Sequence, residues 1–136
     1  MRVLYVDDDR VNLLLFSEAC RVAGGVQLET ATSGAEALEL LKTFVPDLMV
    51  IDLHLPDTDG CALLLRVRER AGHADLPAAL CSADDPALTA ARAALAGFQY
   101  CWPKPLDLSV VMSTLSSLSP LSSHQSPAAS ASRAIG

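Results

Sequence analysis

The chain has 136 residues, which is enough for one domain with a single core. Hydrophobic residues make up 51% of it and charged residues 19%, a composition typical of a globular protein and not of a disordered one. The formal net charge of −6 argues against general binding to nucleic acid or to anionic lipid.

No apolar stretch approaches the roughly 18 residues that cross a bilayer, and no secretory leader is visible at the start of the sequence. The cysteines, at positions 20, 61, 81 and 101, form no C-x-x-C pair and are too widely spaced for a zinc or haem signature. We therefore expect a cytoplasmic protein, outside the membrane, whose cysteines are reduced thiols.

Short apolar runs alternate with amphipathic stretches along the whole chain. The predicted strands are residues 3–6, 26–31, 48–53, 77–81 and 98–102. Several runs are nearly continuous in apolar residues, as expected for strands that are covered on both faces. Helices are predicted over about 10–23, 33–41, 59–70, 87–96 and 107–118. Their starts carry capping signals, among them Asp9, the capping box Ser33-Gly34-Ala35-Glu36, and Asp85 before Pro86.

This alternation predicts an α/β fold, because strand–helix–strand units with right-handed crossovers build a parallel sheet. Five repeats predict a (βα)5 doubly wound, five-stranded parallel sheet with its ligand site at the carboxyl ends of the strands. After residue 118 the composition shifts to Ser, Ala and Pro. We therefore expect one domain over 1–118 and a flexible Ser/Ala/Pro-rich tail over 119–136, with no room for a DNA-binding domain after the last helix.

Polar residues follow four of the predicted strands. The run Asp7-Asp8-Asp9 follows the first strand, Asp52 ends the third, Ser82 follows the fourth, and Lys104 follows the fifth. Alone, an aspartate run is usually a solvated turn, and Ser82 or Lys104 would be an ordinary surface residue. Together they converge on the edge of the sheet where an open α/β fold builds its site. Clustered carboxylates repel one another, and a hard divalent cation with oxygen ligands relieves that repulsion.

These residues lie in segments that resemble the signatures of response regulator receiver domains: VLYVDDD, MVIDLHLPDTDG, LCSAD and WPKPLD. The resemblance covers about residues 1–118, and GFQYCWPKPLD is similar to receivers attached to hybrid histidine kinases. It implies a flavodoxin-like sheet with strand order 2-1-3-4-5. It also implies that a histidine kinase or a histidine phosphotransfer protein donates a phosphoryl group to Asp52, and that the chain is no enzyme beyond its own phosphoryl transfer and self-dephosphorylation.

The resemblance also implies roles for the site residues. Asp8 and Asp52 would bind Mg²⁺ directly, Asp7 would act mainly through water, and the backbone carbonyl of His54 would supply a further ligand. Around the phosphoryl oxygens, the resemblance implies contacts from the Lys104 ammonium, the Ser82 hydroxyl and the Ala83 N–H. The Lys104–Pro105 bond would be cis. Output would pass to a downstream protein target or to a kinase domain in cis, and a homodimer through the fourth and last helices stays open.

One position departs from the family pattern. Cys101 lies three residues before Lys104, where the family has the aromatic side chain that reports phosphorylation. Tyr100 and Trp102 flank it, but neighbouring residues of a strand point to opposite faces of the sheet. We therefore expect the phosphorylation chemistry to be intact and the readout to differ, with Ser82 and the loop beside it carrying most of the change.

Two other function classes stay open from the sequence. The chain could be a receiver-like protein-interaction module that is never phosphorylated, although every acceptor-site residue is present. It could also be a phosphohydrolase with an aspartyl nucleophile, but those enzymes use an Asp-x-Asp pair. His54 occupies the second position of that pair here.

Overall fold

The computed structural model describes residues 1–70 and 72–118, so the predicted tail over 119–136 lies outside the described residues. Five strands alternate with five helices: β1 (Arg2–Val6), α1 (Arg10–Ala23), β2 (Gln27–Ala31), α2 (Gly34–Leu40), β3 (Leu48–Asp52), α3 (Gly60–Arg68), β4 (Ala78–Ser82), α4 (Pro86–Ala96), β5 (Tyr100–Pro103) and α5 (Leu108–Leu118). Within these described residues, no helix combines the length and the apolar character that crossing a bilayer requires.

All neighbouring strands of the sheet are parallel, and their order is β2-β1-β3-β4-β5. The predicted fold class and strand order are therefore confirmed. Every residue of β3 and of β4 is buried, because these strands lie inside the sheet and helices cover both of its faces. The continuous apolar runs in the sequence reflect this position.

The core consists of two layers, one on each face of the sheet. In β1, Val3 and Tyr5 pack with residues of α1 and α5, whereas Leu4 and Val6 pack with residues of α2, α3 and α4. This division follows from the two-residue period of a strand. It fixes which side chains near the carboxyl end of each strand share a face.

Most helices begin where the sequence predicts. The side chains of Asp9, Ser33, Asp59 and Asp85 each accept backbone N–H bonds at the first turn of α1, α2, α3 and α4. The capping box differs in detail, because the Glu36 carboxylate accepts the N–H of Thr32, one residue before the capping position. Several element bounds also shift: α3 ends at Arg68 rather than near residue 70, β5 begins at Tyr100 rather than at 98, and the other strand bounds move by one residue at most. Gly97 ends α4 with a φ of 91°, a left-handed conformation that favours glycine.

Candidate functional site

The carboxyl ends of the strands bring the predicted polar residues together. Asp7 follows β1, Asp52 is the last residue of β3, and Lys104 follows β5. The Lys104 ammonium lies 2.8 Å from the Asp7 carboxylate and 3.2 Å from the Asp52 carboxylate. Lys104 therefore bridges two acids that come from separate strands.

Asp7 is fully buried and makes more polar contacts than Asp52 does. Its carboxylate accepts hydrogen bonds from the Tyr5 hydroxyl at 2.8 Å and from the Asp9 backbone N–H at 2.9 Å, besides the contact with Lys104. Burial would raise its pKa, but the hydrogen bond from Lys104 and the two other donors prevail, so the pKa of Asp7 is lowered. Asp7 is thus held as a carboxylate.

For Asp52, the effects that raise the pKa outweigh those that lower it. Its side chain is nearly buried and accepts one backbone bond, from the His54 N–H at 3.3 Å. Burial, with a further contribution from the charge on Asp7, raises the pKa of Asp52, and the attraction of Lys104 offsets this only in part. The Lys104 pKa is raised as well: burial alone would lower it, but its bonds and charge interactions with Asp7 and Asp52 outweigh that effect.

Ser82 ends β4 beside this cluster. In the β3–β4 register Asp52 pairs with Cys81, so Ser82 lies one residue further along. The buried Ser82 hydroxyl accepts the N–H of Asp84 at 2.9 Å, while Ala83 between them is exposed at the surface. The hydroxyl therefore has a fixed backbone partner, and the loop after β4 turns tightly over it.

The loops after β3 and β4 are joined across the mouth of the site. The His54 imidazole Nε2 lies 2.6 Å from the Asp84 carboxylate, and both side chains are exposed to solvent. The imidazole is thus engaged by Asp84. The role of the His54 backbone carbonyl as a ligand stays a prediction.

Asp57 holds the loop after β3 against α2. Within this loop, the Asp59 side chain caps α3. Asp57 instead reaches back to the start of α2, where its two carboxylate oxygens accept the N–H groups of Gly34 at 2.8 Å and Ala35 at 2.9 Å. These bonds lower the pKa of Asp57. We call this arrangement the Asp57 clamp.

Two contacts of Asp7 were not predicted from the sequence. Tyr5 and Asn12 both donate to the Asp7 carboxylate, from β1 and from the first turn of α1. Tyr5 carries a readable signal, since it lies two residues before Asp7, on the same face of the strand, and is the one polar side chain among aliphatic neighbours. Asn12 has no such signal, because its approach depends on how α1 leaves the sheet.

Cys101 lies on the face of β5 opposite to Tyr100 and Trp102, as predicted. Its side chain is 5% exposed and packs with the layer formed by α2, α3 and α4, whereas Tyr100 and Trp102 pack on the α1 and α5 side. Neither ring reaches the position of Cys101. The predicted Lys104–Pro105 cis bond is present.

The acidic cluster has the chemistry of a cation site. Carboxylate oxygens of Asp7, Asp8 and Asp52 all lie within 4.8 Å of one another, with Asp8 exposed and the other two buried. Oxygen ligands of this kind suit hard divalent cations, which also relieve the repulsion between neighbouring carboxylates. The residues present therefore fit a bound metal ion.

The chain is similar to known proteins that share one domain family. The model of the response regulator receiver domain family matches residues 3–116. The DNA-binding transcriptional regulator NtrC of Escherichia coli is 33% identical over 107 residues, which cover 78% of this chain and 22% of NtrC. The sensor histidine kinase RcsC of Salmonella typhimurium is 31% identical over 115 residues, which cover 85% of this chain and 12% of RcsC.

Among solved structures, the Francisella response regulator 1452 receiver domain superposes with a TM-score of 0.77 at 26% identity. The superposition covers 86% of this chain and 94% of that domain. NtrC and RcsC are thus several times longer than the matched region, whereas the solved receiver is matched over nearly its whole length.

Proposed function

The chain belongs to the response regulator receiver domain family of two-component systems, and from this we propose that Asp52 accepts a phosphoryl group from a phosphohistidine. Receiver domains are in general signalling modules that work with histidine kinases, and not enzymes that act on a separate substrate. The observation that carries the proposal is the position of Asp52 at the end of β3, beside Asp7 and Asp8 and 3.2 Å from the Lys104 ammonium.

In the proposed step, an Asp52 carboxylate oxygen attacks the phosphorus atom. The P–N bond to the donor imidazole breaks, its electron pair stays with the imidazole nitrogen, and Asp52 becomes an acyl phosphate. The transferring group carries charge on its peripheral oxygens, so donors and cations around it lower the barrier. Lys104 supplies a positive charge, and the Ser82 hydroxyl with the Ala83 N–H supplies donors. Later attack by water releases phosphate and restores Asp52, which is the self-dephosphorylation expected of this site.

We assign the acidic cluster to Mg²⁺, which neutralises carboxylate charge and draws electron density from the phosphoryl oxygens when it is bound. Asp8 and Asp52 would hold it directly, Asp7 through water, and the His54 carbonyl as a further ligand. The donor set supports this assignment, since all of these ligands are oxygen atoms. The lowered pKa of Asp7 supports it too, because that carboxylate stays ionised at neutral pH.

The donor needs a surface next to the site. The start of α1 directly adjoins it, since Asn12 donates to the Asp7 carboxylate. Val11, Leu14 and Leu15 are among the large apolar side chains that this part of the chain exposes, at 63%, 70% and 55%. An apolar flank beside an acidic pocket suits a histidine kinase or phosphotransfer protein whose phosphohistidine must come into contact with Asp52.

We take residues 1–118 as one receiver domain, with output by protein contact, to a downstream target or to a kinase domain in cis. A location in the cytoplasm agrees with the four cysteines, which are present as thiols. A homodimer is a separate proposal. The molecular mass in solution, measured with and without phosphorylation, would test it.

One experiment tests the proposal. The protein is incubated with Mg²⁺ and acetyl phosphate, and in parallel with beryllofluoride, beside the Asp52→Asn variant. We expect a base-labile phosphoryl adduct that hydroxylamine cleaves, as an acyl phosphate should be, and a beryllofluoride-induced spectral change, both in the wild type only. No adduct that depends on Asp52 would favour the unphosphorylated interaction module, and turnover of unrelated phosphomonoesters would favour a hydrolase.

A further inference from the structure

Tyr5 and Lys104 contact the same oxygen of Asp7. The Tyr5 hydroxyl donates to Asp7 Oδ2 at 2.8 Å, and the Lys104 ammonium lies 2.8 Å from that atom. Asn12 adds only a long contact of 3.4 Å to it, while Oδ1 accepts the backbone N–H of Asp9 at 2.9 Å. A carboxylate oxygen offers about two lone-pair sites, so the hydroxyl and the ammonium occupy the strong positions on Oδ2. The two donors therefore share the charge of one oxygen.

The Tyr5 hydroxyl is a fixed donor. Tyr5 is fully buried in β1, and its ring lies against the Phe16 ring of α1 with 4.6 Å between the ring centroids. A ring packed in this way has little room to turn. Burial also raises the pKa of Tyr5, so the hydroxyl keeps its proton. We therefore expect the hydroxyl to stay on Asp7 while other groups of the site move.

Lys104 divides its charge between two acids. Its ammonium lies 2.8 Å from Asp7 and 3.2 Å from Asp52, and it ends a flexible side chain with three N–H donors. Under the proposed function, a phosphoryl group on Asp52 adds roughly 1.5–2 negative charges. That charge draws the ammonium towards Asp52 and away from Asp7. Phosphoryl transfer thus weakens the contact between a fully buried carboxylate and its cation.

Asp7 needs another strong donor at that moment. A buried carboxylate that loses a partner is destabilised unless other groups hold its charge. The Tyr5 hydroxyl can do so, because its bond to Oδ2 strengthens as the ammonium withdraws and no longer shares that charge. An interaction that is stronger in the transition state than in the ground state raises the rate of the step.

We propose that Tyr5 is a positioning residue for phosphoryl transfer, whose hydroxyl holds Asp7 while the Lys104 ammonium shifts towards the phosphoryl group on Asp52. This inference rests on the proposed function. The hydroxyl contacts Asp7 and not the transferring group, so it acts only through the acid and the ammonium. Removing it slows the transfer and leaves the modified residue the same.

The test compares the wild type with Tyr5→Phe, which removes the hydroxyl and keeps the ring. Each protein is incubated with Mg²⁺ and acetyl phosphate, and the rate of labelling at Asp52 is followed by mass spectrometry. We expect Tyr5→Phe to be labelled about tenfold more slowly, the lower end of the range for one hydrogen bond to a charged group.

Tyr100→Phe is the matched control, because it removes the other tyrosine hydroxyl of the chain. Tyr100 begins β5, whereas Lys104 follows the carboxyl end of that strand. The labelling rate of Tyr100→Phe should therefore stay within about twofold of the wild-type rate. Circular dichroism checks that each variant is folded.

A double-mutant cycle separates positioning from a general loss of structure. In a Lys104→Gln background no ammonium has to leave Asp7, so adding Tyr5→Phe should change the labelling rate by less than about twofold. A hydroxyl that only supported the fold would slow labelling by the same factor in both backgrounds.

A spectroscopic measurement needs no substitution at Tyr5. In protein labelled with carbon-13 tyrosine, the Cζ resonance of Tyr5 should move downfield when beryllofluoride is added, because a stronger hydrogen bond gives the ring more phenolate character. The Tyr100 resonance, identified by its absence from Tyr100→Phe, is the internal reference and should not follow it.

Three results would overturn the proposal: equal labelling rates of Tyr5→Phe and the wild type, the same slowing in both backgrounds, or a Tyr5 Cζ resonance that stays in place or moves upfield. A wild type that is not labelled at Asp52 would overturn the phosphoacceptor proposal and this inference together. An adduct that depends on Asp52, combined with any of the three results, would overturn this inference alone.

Discussion

The His54 imidazole lies 2.6 Å from the Asp84 carboxylate, so the loops after β3 and β4 meet over the acceptor aspartate. While this pair is intact, the Asp84 carboxylate is held by the imidazole and is less free to take a proton from water. We therefore expect His54→Ala to shorten the lifetime of the Asp52 acyl phosphate roughly fivefold, which equals about 1 kcal/mol of barrier.

The double variant His54→Ala/Asp84→Ala is the matched control, because it removes the released carboxylate as well. It should return the lifetime towards that of the wild type. Phosphate release after removal of the donor measures both rates, and a lifetime in His54→Ala equal to or longer than that of the wild type would contradict this account.

The Asp57 clamp should contribute to folding stability. Asp57→Ala leaves two N–H groups of α2 without their acceptors, and we expect a loss of about 0.5–2 kcal/mol, the range for a lost helix cap. Because the pKa of Asp57 is lowered in the folded protein, its contribution is present above the unfolded value of about 3.9 and is lost as the pH falls through the folded pKa.

Urea titrations at pH 7 and at pH 3 measure this effect. The difference in free energy of unfolding between wild type and Asp57→Ala should shrink at the lower pH. Asp57→Asn keeps one acceptor oxygen and does not titrate, so its free energy of unfolding should depend less on pH than that of the wild type. A difference that stays constant with pH would show that the carboxylate does not carry the clamp.

Gly34 is needed where the clamp meets α2. A Cβ atom at this position would lie 2.7 Å from the Thr58 Cγ2 atom, too close for an unchanged loop. Gly34→Ala should therefore cost about 1–3 kcal/mol, as overpacking commonly does. The loss should be smaller when Thr58→Ser is the background, since serine lacks that methyl group. Equal losses in both backgrounds, measured by thermal unfolding, would place the strain elsewhere.

Asp52 should oppose folding when no cation is bound. Burial and the charge on Asp7 raise its pKa, so its ionised form destabilises the folded state, and this loss sets in as the pH rises from the unfolded value of about 3.9 through the folded pKa. At pH 7 without Mg²⁺, Asp52→Asn should be more stable than the wild type by about 0.5–2 kcal/mol. A gain of this size is typical of a substitution that removes a destabilising charge from a functional site.

Added Mg²⁺ should stabilise the wild type and have a smaller effect on Asp52→Asn, because a ligand that binds the folded state raises its stability. Calorimetry with and without EDTA measures both effects. A wild type that is more stable than Asp52→Asn in EDTA would contradict the assigned charge balance.

Cys101 should limit how the phosphorylation signal is read. It is buried against the layer formed by α2, α3 and α4, so a tyrosine ring there needs new space, and Cys101→Tyr should cost about 1–3 kcal/mol. If Ser82 and its loop carry most of the switch, this variant should also enlarge the beryllofluoride-induced amide shifts on α4 and β5. Unchanged shifts in the NMR spectrum would count against that readout.

Local pattern predicts much of this molecule. The continuous apolar runs of β3 and β4 and the caps at Asp9 and Asp85 depend on neighbours in the sequence, and they were predictable for that reason. The gathering of Asp7, Asp52 and Lys104 was predictable as well, because parallel strands bring their carboxyl ends to one edge.

Two further contacts that could not be predicted join loops that are distant in sequence. Asp57 and Gly34 are 23 residues apart, and His54 and Asp84 are 30 apart. Each pair depends on the path of a loop and on one rotamer, which neither periodicity nor capping signals specify.

The central claim is that Asp52 is the phosphoryl acceptor. The protein is phosphorylated by a phosphohistidine donor in Mg²⁺, the acyl phosphate is reduced with borohydride, and the modified residue is located by peptide mass spectrometry. Reduction of an aspartyl phosphate gives homoserine, and we predict it at position 52 alone, with none in Asp52→Asn. Homoserine at Asp7 or Asp8, or a phosphoryl group that survives on the Asp52→Asn variant, would contradict the account.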